Sequence, residues 1–212
     1  MISNTLDSFL STRPALLGNR SEMASALALL EASFAVGGKL LVCGNGGSAA
    51  DAEHIVGELM KGFLLRRPLL REAQDTLGAV EPELGPYLGT KLQQALPAIA
   101  LTGQIALSTA VANDNGGDLP FAQQVWGYGV AGDVFWGIST SGNSRSVVLA
   151  AVAAKAKGLR VLGMTGIKGG RLGALADVCV RAPSDETFEV QEHHVAIYHF
   201  LCAALERRFF PE

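Results

Sequence analysis

Residues 39–54 read Lys39-Leu-Leu-Val-Cys-Gly-Asn-Gly-Gly-Ser-Ala-Ala-Asp-Ala-Glu-His54. Lys39–Cys43 has the length and apolarity of a short buried strand. Gly44–Ser48 is a turn, and the spacing beyond it predicts a helix from Ala49 to about Leu64. Strand, glycine-rich turn and helix open a βα unit. The same order recurs downstream: a strand over Asp133–Ile138, a polar turn Ser139-Thr-Ser-Gly-Asn-Ser144, and a helix over Ser146–Lys157. Further strands are predicted over Ala98–Leu101, Leu159–Met164 and Asp177–Arg181. Helices are predicted over Gln104–Ala112 and Phe121–Tyr128, with a turn at Asn113-Asp-Asn-Gly-Gly117 between them. Two helices, 3–18 and 21–36, precede the first strand. The second is marked by Met23, Ala26, Leu27, Leu30 and Phe34 at helical spacing, by Ser21 as N-cap, and by Gly37-Gly38 as its stop. Thr187–Arg208 reads as a long closing helix. The alternation predicts an α/β fold with an open parallel sheet, helices on both faces and right-handed crossovers.

Composition agrees. Of 212 residues, 49% are hydrophobic and 17% charged, against roughly 25% charged in an average globular chain. A net charge of −3 on so apolar a chain excludes disorder and a strongly basic nucleic-acid binder. The 25 glycines have no period of three, which excludes a collagen-like chain. Low charge also suggests surface buried against copies of the chain. Cys43, Cys179 and Cys202 are far apart and lack CxxC spacing, so neither a disulfide framework nor a cysteine zinc site is expected. Residues 1–20 carry no basic stretch followed by an apolar one, and no run is long enough for a membrane span, so a cytoplasmic protein is expected. Residues 66–97 hold Pro68, Pro82, Pro86 and Pro97 among Glu72, Asp75, Glu81 and Glu83, and read as a surface excursion with short helical pieces.

In an open parallel sheet, ligands sit beyond the carboxyl ends of the strands. Gly44–Ser48 and Ser139–Ser144 both fall there. The first lets backbone approach a ligand; the second carries four hydroxyls in six residues. Each opens a helix, whose free N–H groups favour an anion, and neither contains Lys or Arg. This suits a phosphate monoester held by hydroxyls and N–H groups. Neither a P-loop nor a GxGxxG dinucleotide fingerprint is present. Gly116, Gly117, Gly169 and Gly170 read as turn glycines. The histidines are a second signal. His54 and Glu58 lie four apart on one helix face. Gln191 and His199 lie eight apart on the last helix, offset by about 80°. Together these four form an N/O donor set suited to a divalent metal such as zinc.

Cys43-Gly-Asn-Gly-Gly-Ser48, then Asp51, His54 and Glu58, then Ala112-Asn-Asp114, then Gly137-Ile-Ser-Thr-Ser-Gly-Asn-Ser144, then Gln191-Glu192 and His199, resemble the sugar isomerase (SIS) domain family over about residues 20–209. Within it they resemble most the sedoheptulose 7-phosphate isomerases. The resemblance implies one SIS domain over 1–212: N-terminal helices 1–36, an irregular insertion 66–97, and a C-terminal helix 187–209 around a flavodoxin-like five-stranded parallel sheet in three α/β/α layers. It implies a homotetramer with active sites between subunits, and conversion of D-sedoheptulose 7-phosphate to D-glycero-D-manno-heptose 7-phosphate for bacterial lipopolysaccharide heptose. Ser48, Ser139, Thr140, Ser141 and Ser144 would hold the phosphate. Asn45, Gly46, Gly47, Asn113 and Asp114 would line the sugar site, with Glu58 and Gln191 also reaching substrate. His54, Glu58, Gln191 and His199 would hold one Zn²⁺ per subunit. Glu58 and His199 would be the acid/base pair.

The chain departs from the family pattern in three places. Ala49-Ala50 follows the glycine loop where a His-Cys-like pair is common, residues 66–97 are longer than the usual link, and Phe188-Glu189 stands where an Asp-Arg-like pair is common. A non-catalytic SIS protein that binds a replication initiator is one alternative reading; Glu58 with His199 speaks against it. A sugar-phosphate-sensing regulator is another, but there is neither room nor a basic stretch for a DNA-binding domain.

Overall fold

The computed structural model describes residues 2–211, with side chains described from Leu6 onward. Two helices lead, α1 (Ile2–Ser11) and α2 (Arg20–Ala35), joined by a 3₁₀ segment at Pro14–Asn19. Then follow β1 (Leu40–Cys43), α3 (Gly47–Met60), α4 (Arg71–Val80), α5 (Gly85–Lys91), β2 (Ala98–Ala100), α6 (Ile105–Asp114), α7 (Pro120–Tyr128), β3 (Val134–Ser139), α8 (Arg145–Ala156), β4 (Arg160–Thr165), α9 (Gly170–Leu175), β5 (Val178–Arg181) and α10 (Thr187–Phe209). The five strands form one parallel sheet in the order β2-β1-β3-β4-β5. This is the flavodoxin-like order, whose switch point lies between β1 and β3.

Period-two alternation divides the strands between two cores. Leu40, Val42, Val134, Trp136, Ile138, Leu162 and Met164 face α2, α3 and α10, packing on Met23, Leu27, Leu30, Ile55, Leu59, Ile197 and Leu201. Leu41, Cys43, Phe135 and Val161 face the other way, onto Val125, Val147, Val148, Ala151 and Leu172. Every residue of β1 and β3 is buried. Each such Val, Leu or Ile contributes about 1.5–3 kcal/mol of burial, before the entropy of ordering it is set against that.

Several boundaries differ from the sequence reading. The expected helix over 3–18 stops at Ser11, because Pro14 lacks an N–H and forces Arg13 out of the helical region, at φ −137° and ψ 70°. α3 starts two residues early and ends at Met60, where Lys61 turns extended. α6 runs through Asn113 and Asp114, so these residues form its last turn and not a loop. α9 was hidden by its glycines. The 66–97 insertion is a helical hairpin. α4 and α5 pack on each other so closely that a Cβ at Gly85 would stand 2.0 Å from the Leu77 carbonyl oxygen. An isolated antiparallel bridge between Pro68 and Gln93 closes its stem.

Two buried polar groups tie α10 down. His194 is fully buried, and its Nε2 lies 3.1 Å from the Thr165 carbonyl oxygen at the end of β4. A carbonyl only accepts, so Nε2 carries the proton. Burial holds this imidazole neutral, with a pKa lowered to about 4. The unfolded chain, titrating near 6.5, therefore takes up a proton that the fold refuses, and stability falls as pH drops from 6.5 toward 4. The expected loss is about 3 kcal/mol. His194→Gln retains an N–H donor without the titration, so urea midpoints measured across that range should vary less with pH than in the parent chain. An unchanged slope would show that His194 is not responsible.

The second group is an ion pair. Arg67 and Glu206 have side chains with no solvent exposure. Arg67 Nε donates to Glu206 Oε1 at 2.7 Å, while its Nη1 and Nη2 donate to the Leu59 and Glu58 carbonyls at 2.7 and 3.0 Å. Glu206 also accepts from the backbone N–H groups of Phe63, Leu64 and Leu65 at 2.8, 2.7 and 3.0 Å. Burial alone would raise the Glu206 pKa, but those N–H donors and the guanidinium outweigh it and hold the carboxyl below its usual range.

Candidate active site

The site is built where α3 and α10 pack together and where β1 and β3 end. On α3, His54 and Glu58 share a face, and His54 Nε2 lies 3.0 Å from Glu58 Oε1. α10 brings His199 to the same place, its Nε2 at 3.4 Å from His54 Nε2. One ligand atom from each of the three lies within 4.8 Å of the others. His54 is 45% exposed at its side chain and Glu58 only 12%. Glu58 Oε2 is buried without a hydrogen-bond partner among the described residues. Such an orphaned oxygen beside two imidazole nitrogens is a donor set waiting for a cation or a proton. Burial and the neighbouring His54 lower the His199 pKa, while Glu58 opposes them. Phe63 packs over His199 with ring centroids 5.5 Å apart. The loop that carries Phe63 is the one pinned by Glu206.

Gln191 sits elsewhere. Eight residues along α10 place it about 12 Å from His199 in axial rise. Its side chain instead crosses Gly47 at the start of α3, where a Cβ would stand 2.3 Å from Gln191 Nε2. Within one chain the cluster is therefore His54, Glu58 and His199, with Gln191 at the glycine loop.

The two polar loops meet side by side, because β1 and β3 are neighbours. Asn45 Nδ2 donates to Ser144 Oγ at 2.7 Å and to Ser146 Oγ at 3.0 Å. Ser48 is buried in the first turn of α3. Ser139 Oγ accepts from the Ser144 N–H at 3.3 Å, and Ser141 Oγ accepts from the Asn143 N–H at 3.1 Å, so both oxygens brace the loop. Gly142 adopts φ +67° and touches the loop after β4: a Cβ there would lie 2.0 Å from the Gly169 carbonyl oxygen. Gly169 and Gly170 are thus the wall against which the hydroxyl loop is shaped, a role beyond turn formation. Beside Asn45 opens a cavity of about 310 Å³, lined by Gly44, Gly46, Thr102, Ser108, Gly117 and Ser146 among others. Asn113 and Asp114 do not line it. They are exposed at the end of α6, where Asn113 Nδ2 donates to Asp114 Oδ1 at 2.8 Å.

Sequence reading passed over Ser146, Thr102 and Ser108 as site residues. Ser146 alone carried a signal, as a second hydroxyl in the first turn of α8. Arg145, immediately after the hydroxyl loop, is paired with Asp118.

Among the described residues, no helix is long and apolar enough to cross a membrane. A family profile described as the SIS domain matches residues 16–84 and 91–166. The phosphoheptose isomerase of Rhodospirillum rubrum is 40% identical over 184 residues, covering 87% of this chain and 84% of that protein. That of Aneurinibacillus thermoaerophilus is 39% identical over 174 residues, covering 82% and 75%. Among solved structures, the phosphoheptose isomerase GmhA of Neisseria gonorrhoeae superposes with a TM-score of 0.72 at 31% identity, over 97% of this chain and 94% of that one. Sheet order, polar loops and sequence kinship thus agree, and this chain belongs to the SIS domain family, among the phosphoheptose isomerases.

Proposed function

We propose that this protein isomerises a ketose phosphate to an aldose phosphate, with D-sedoheptulose 7-phosphate as substrate and D-glycero-D-manno-heptose 7-phosphate as product. The observation that carries the reading is the convergence of His54, Glu58 and His199 beside α3, two to three turns beyond the phosphate-type loops at which that helix begins. Two to three turns are about 10–16 Å, which sets the reacting end of the sugar well apart from its phosphate.

The hydroxyls of Ser48, Ser139, Thr140, Ser141 and Ser144, with the N–H groups opening α3 and α8, bind the phosphate. Asn45, Gly46 and Gly47 lie against the sugar chain, with Gln191 beside Gly47 completing the sugar contacts. Glu58 and His199 are the acid/base pair: one takes the carbon-bound proton between C1 and C2, and the other exchanges the oxygen proton, through a cis-enediol. His54, Glu58 and His199 are the residues of one chain that would hold Zn²⁺, and Gln191, at the glycine loop, is not among them. The buried, unpartnered Glu58 oxygen and the nitrogen-rich donor set fit that ion. When bound, zinc polarises the sugar carbonyl and stabilises negative charge on its oxygen. The assembly in this reading is a cytoplasmic homotetramer with sites between subunits. The presence of both Glu58 and His199 favours catalysis over a purely binding role.

Incubation with sedoheptulose 7-phosphate in D₂O, followed by NMR, tests the proposal. Aldose should appear, with solvent deuterium on the carbon that exchanges its proton, and a chelator should abolish or strongly slow turnover. No turnover across a panel of ketose phosphates would overturn it.

A further inference from the structure

Ser144 stands at the N-cap of α8, at φ −57° and ψ 114°, yet its side chain makes no capping bond. An N-cap serine ordinarily accepts from the N–H of the second or third helical residue, here Ser146 or Val147. Its Oγ instead accepts from Asn45 Nδ2 at 2.7 Å, and the other hydrogen of that amide goes to Ser146 Oγ at 3.0 Å. Ser144 Oγ and Ser146 Oγ are themselves 3.4 Å apart, which closes a triangle. Among the described residues these are the only side-chain hydrogen bonds between the loop after β1 and the start of α8. The first turn of α8 is left open. The Val148 N–H bonds the Ser144 carbonyl at 2.9 Å, while the N–H groups of Arg145, Ser146 and Val147 meet no acceptor among the described residues.

Asn45 follows β1, and β1 and β3 are paired neighbours, with Cys43 opposite Gly137. The carboxamide therefore reaches across the crevice at the switch point of the sheet. A cap left unmade is a loss of stability that a fold ordinarily avoids. A serine that could cap and does not, beside three free N–H groups at the positive end of a helix, reserves that end for an anion. Ser146 holds the arrangement in place. With both hydroxyls engaged, the Asn45 amide has two anchors; with Ser144 alone it can rotate away, and Ser144 then turns back onto α8.

We infer that Ser146 is a positioning residue: its hydroxyl anchors the Asn45 amide on Ser144, which keeps Ser144 from capping α8 and leaves the first-turn N–H groups to the phosphate of the substrate. The inference rests on the reading of this loop as the phosphate site. Its effect falls on binding and not on proton transfer, because the acid/base pair stands two to three turns along α3. Ser146 also lines the cavity beside Asn45, so direct contact with the ligand is the rival explanation, and the two differ in whether Asn45 is needed.

Ser146→Ala removes the anchor. For sedoheptulose 7-phosphate, KM should rise about 2–12-fold, the worth of one hydrogen bond, with kcat nearly unchanged. Ser146→Thr keeps a hydroxyl and should restore the parent KM. In an Asn45→Ala background, Ser146→Ala should have no further effect, since it acts through that amide. The melting temperature of Ser146→Ala should not fall, because Ser144 is then free to cap α8. In ¹⁵N-labelled parent protein, inorganic phosphate should shift the N–H signals of Arg145, Ser146 and Val147, and its dissociation constant should rise by a like factor in Ser146→Ala. Unchanged KM and phosphate affinity in Ser146→Ala, an equal loss in the Asn45→Ala background, or a loss seen only with a lowered melting temperature would overturn the inference. If the parent chain turns over no sugar phosphate but binds inorganic phosphate, the isomerase reading fails alone, and the phosphate titration still accepts or rejects the role of Ser146. Binding of neither overturns both.

Discussion

Glu58→Gln is expected to lower turnover of the sugar phosphate by at least 10²–10⁴-fold, the usual contribution of a positioned proton-transfer group. Glutamine fills the same space and accepts hydrogen bonds, but it takes no proton under assay conditions. The side chain is mostly buried and lies 3.0 Å from His54, so the change leaves packing nearly intact and the melting temperature should move little. Bound zinc must be measured alongside, because an amide is also a weaker ligand than a carboxylate. Lost turnover with zinc retained places Glu58 in proton transfer. Lost turnover with zinc lost assigns it first to holding the ion, and His199→Gln then becomes the test of the remaining acid/base partner. Unchanged turnover removes Glu58 from the mechanism altogether.

Glu206→Ala is expected to destabilise the fold by about 3–5 kcal/mol, the range for removing one partner of a buried ion pair. The loss has two sources. Arg67 keeps a charge with no solvent access, and the N–H groups of Phe63, Leu64 and Leu65 lose their acceptor. Against a whole-domain stability of about 5–15 kcal/mol, this is enough to unfold part of the population near body temperature. Glu206→Gln keeps one acceptor oxygen and should lose less. Urea denaturation of the three proteins gives the comparison. A change below about 1 kcal/mol in Glu206→Ala would mean that the loop is held by other contacts. Activity should follow stability here, since this loop carries Phe63 onto His199.

Neither the Arg67–Glu206 pair nor the Asn45–Ser144 bond was legible in the sequence. Arg67 stands in the stretch that reads as an irregular excursion, and Glu206 looks like any polar residue on a long helix. Their pairing spans 139 residues, and that of Asn45 with Ser144 spans 99. No local period carries that information. The insertion was legible as a surface excursion with short helical pieces but not as a hairpin, because α4 and α5 bury their contacts mainly against each other and α4 has no fully buried residue.

What the sequence by itself determined was the parallel α/β architecture and the two loops that would meet a phosphate. Those features are local: strand length, glycine turns and helical spacing act within a few residues, so they survive reading in one dimension. His54 and Glu58 on one face belong to the same class, since four residues are one helical turn. Tertiary structure alone decided that, of the two candidates on α10, His199 closes the cluster while Gln191 rests on Gly47, and that Gly142 needs Gly169 and Gly170 as its wall. Those meetings depend on sheet order and on how α10 lies along α3. Long-range packing of the two cores sets that alignment, and with it which buried oxygens and nitrogens are left facing one another.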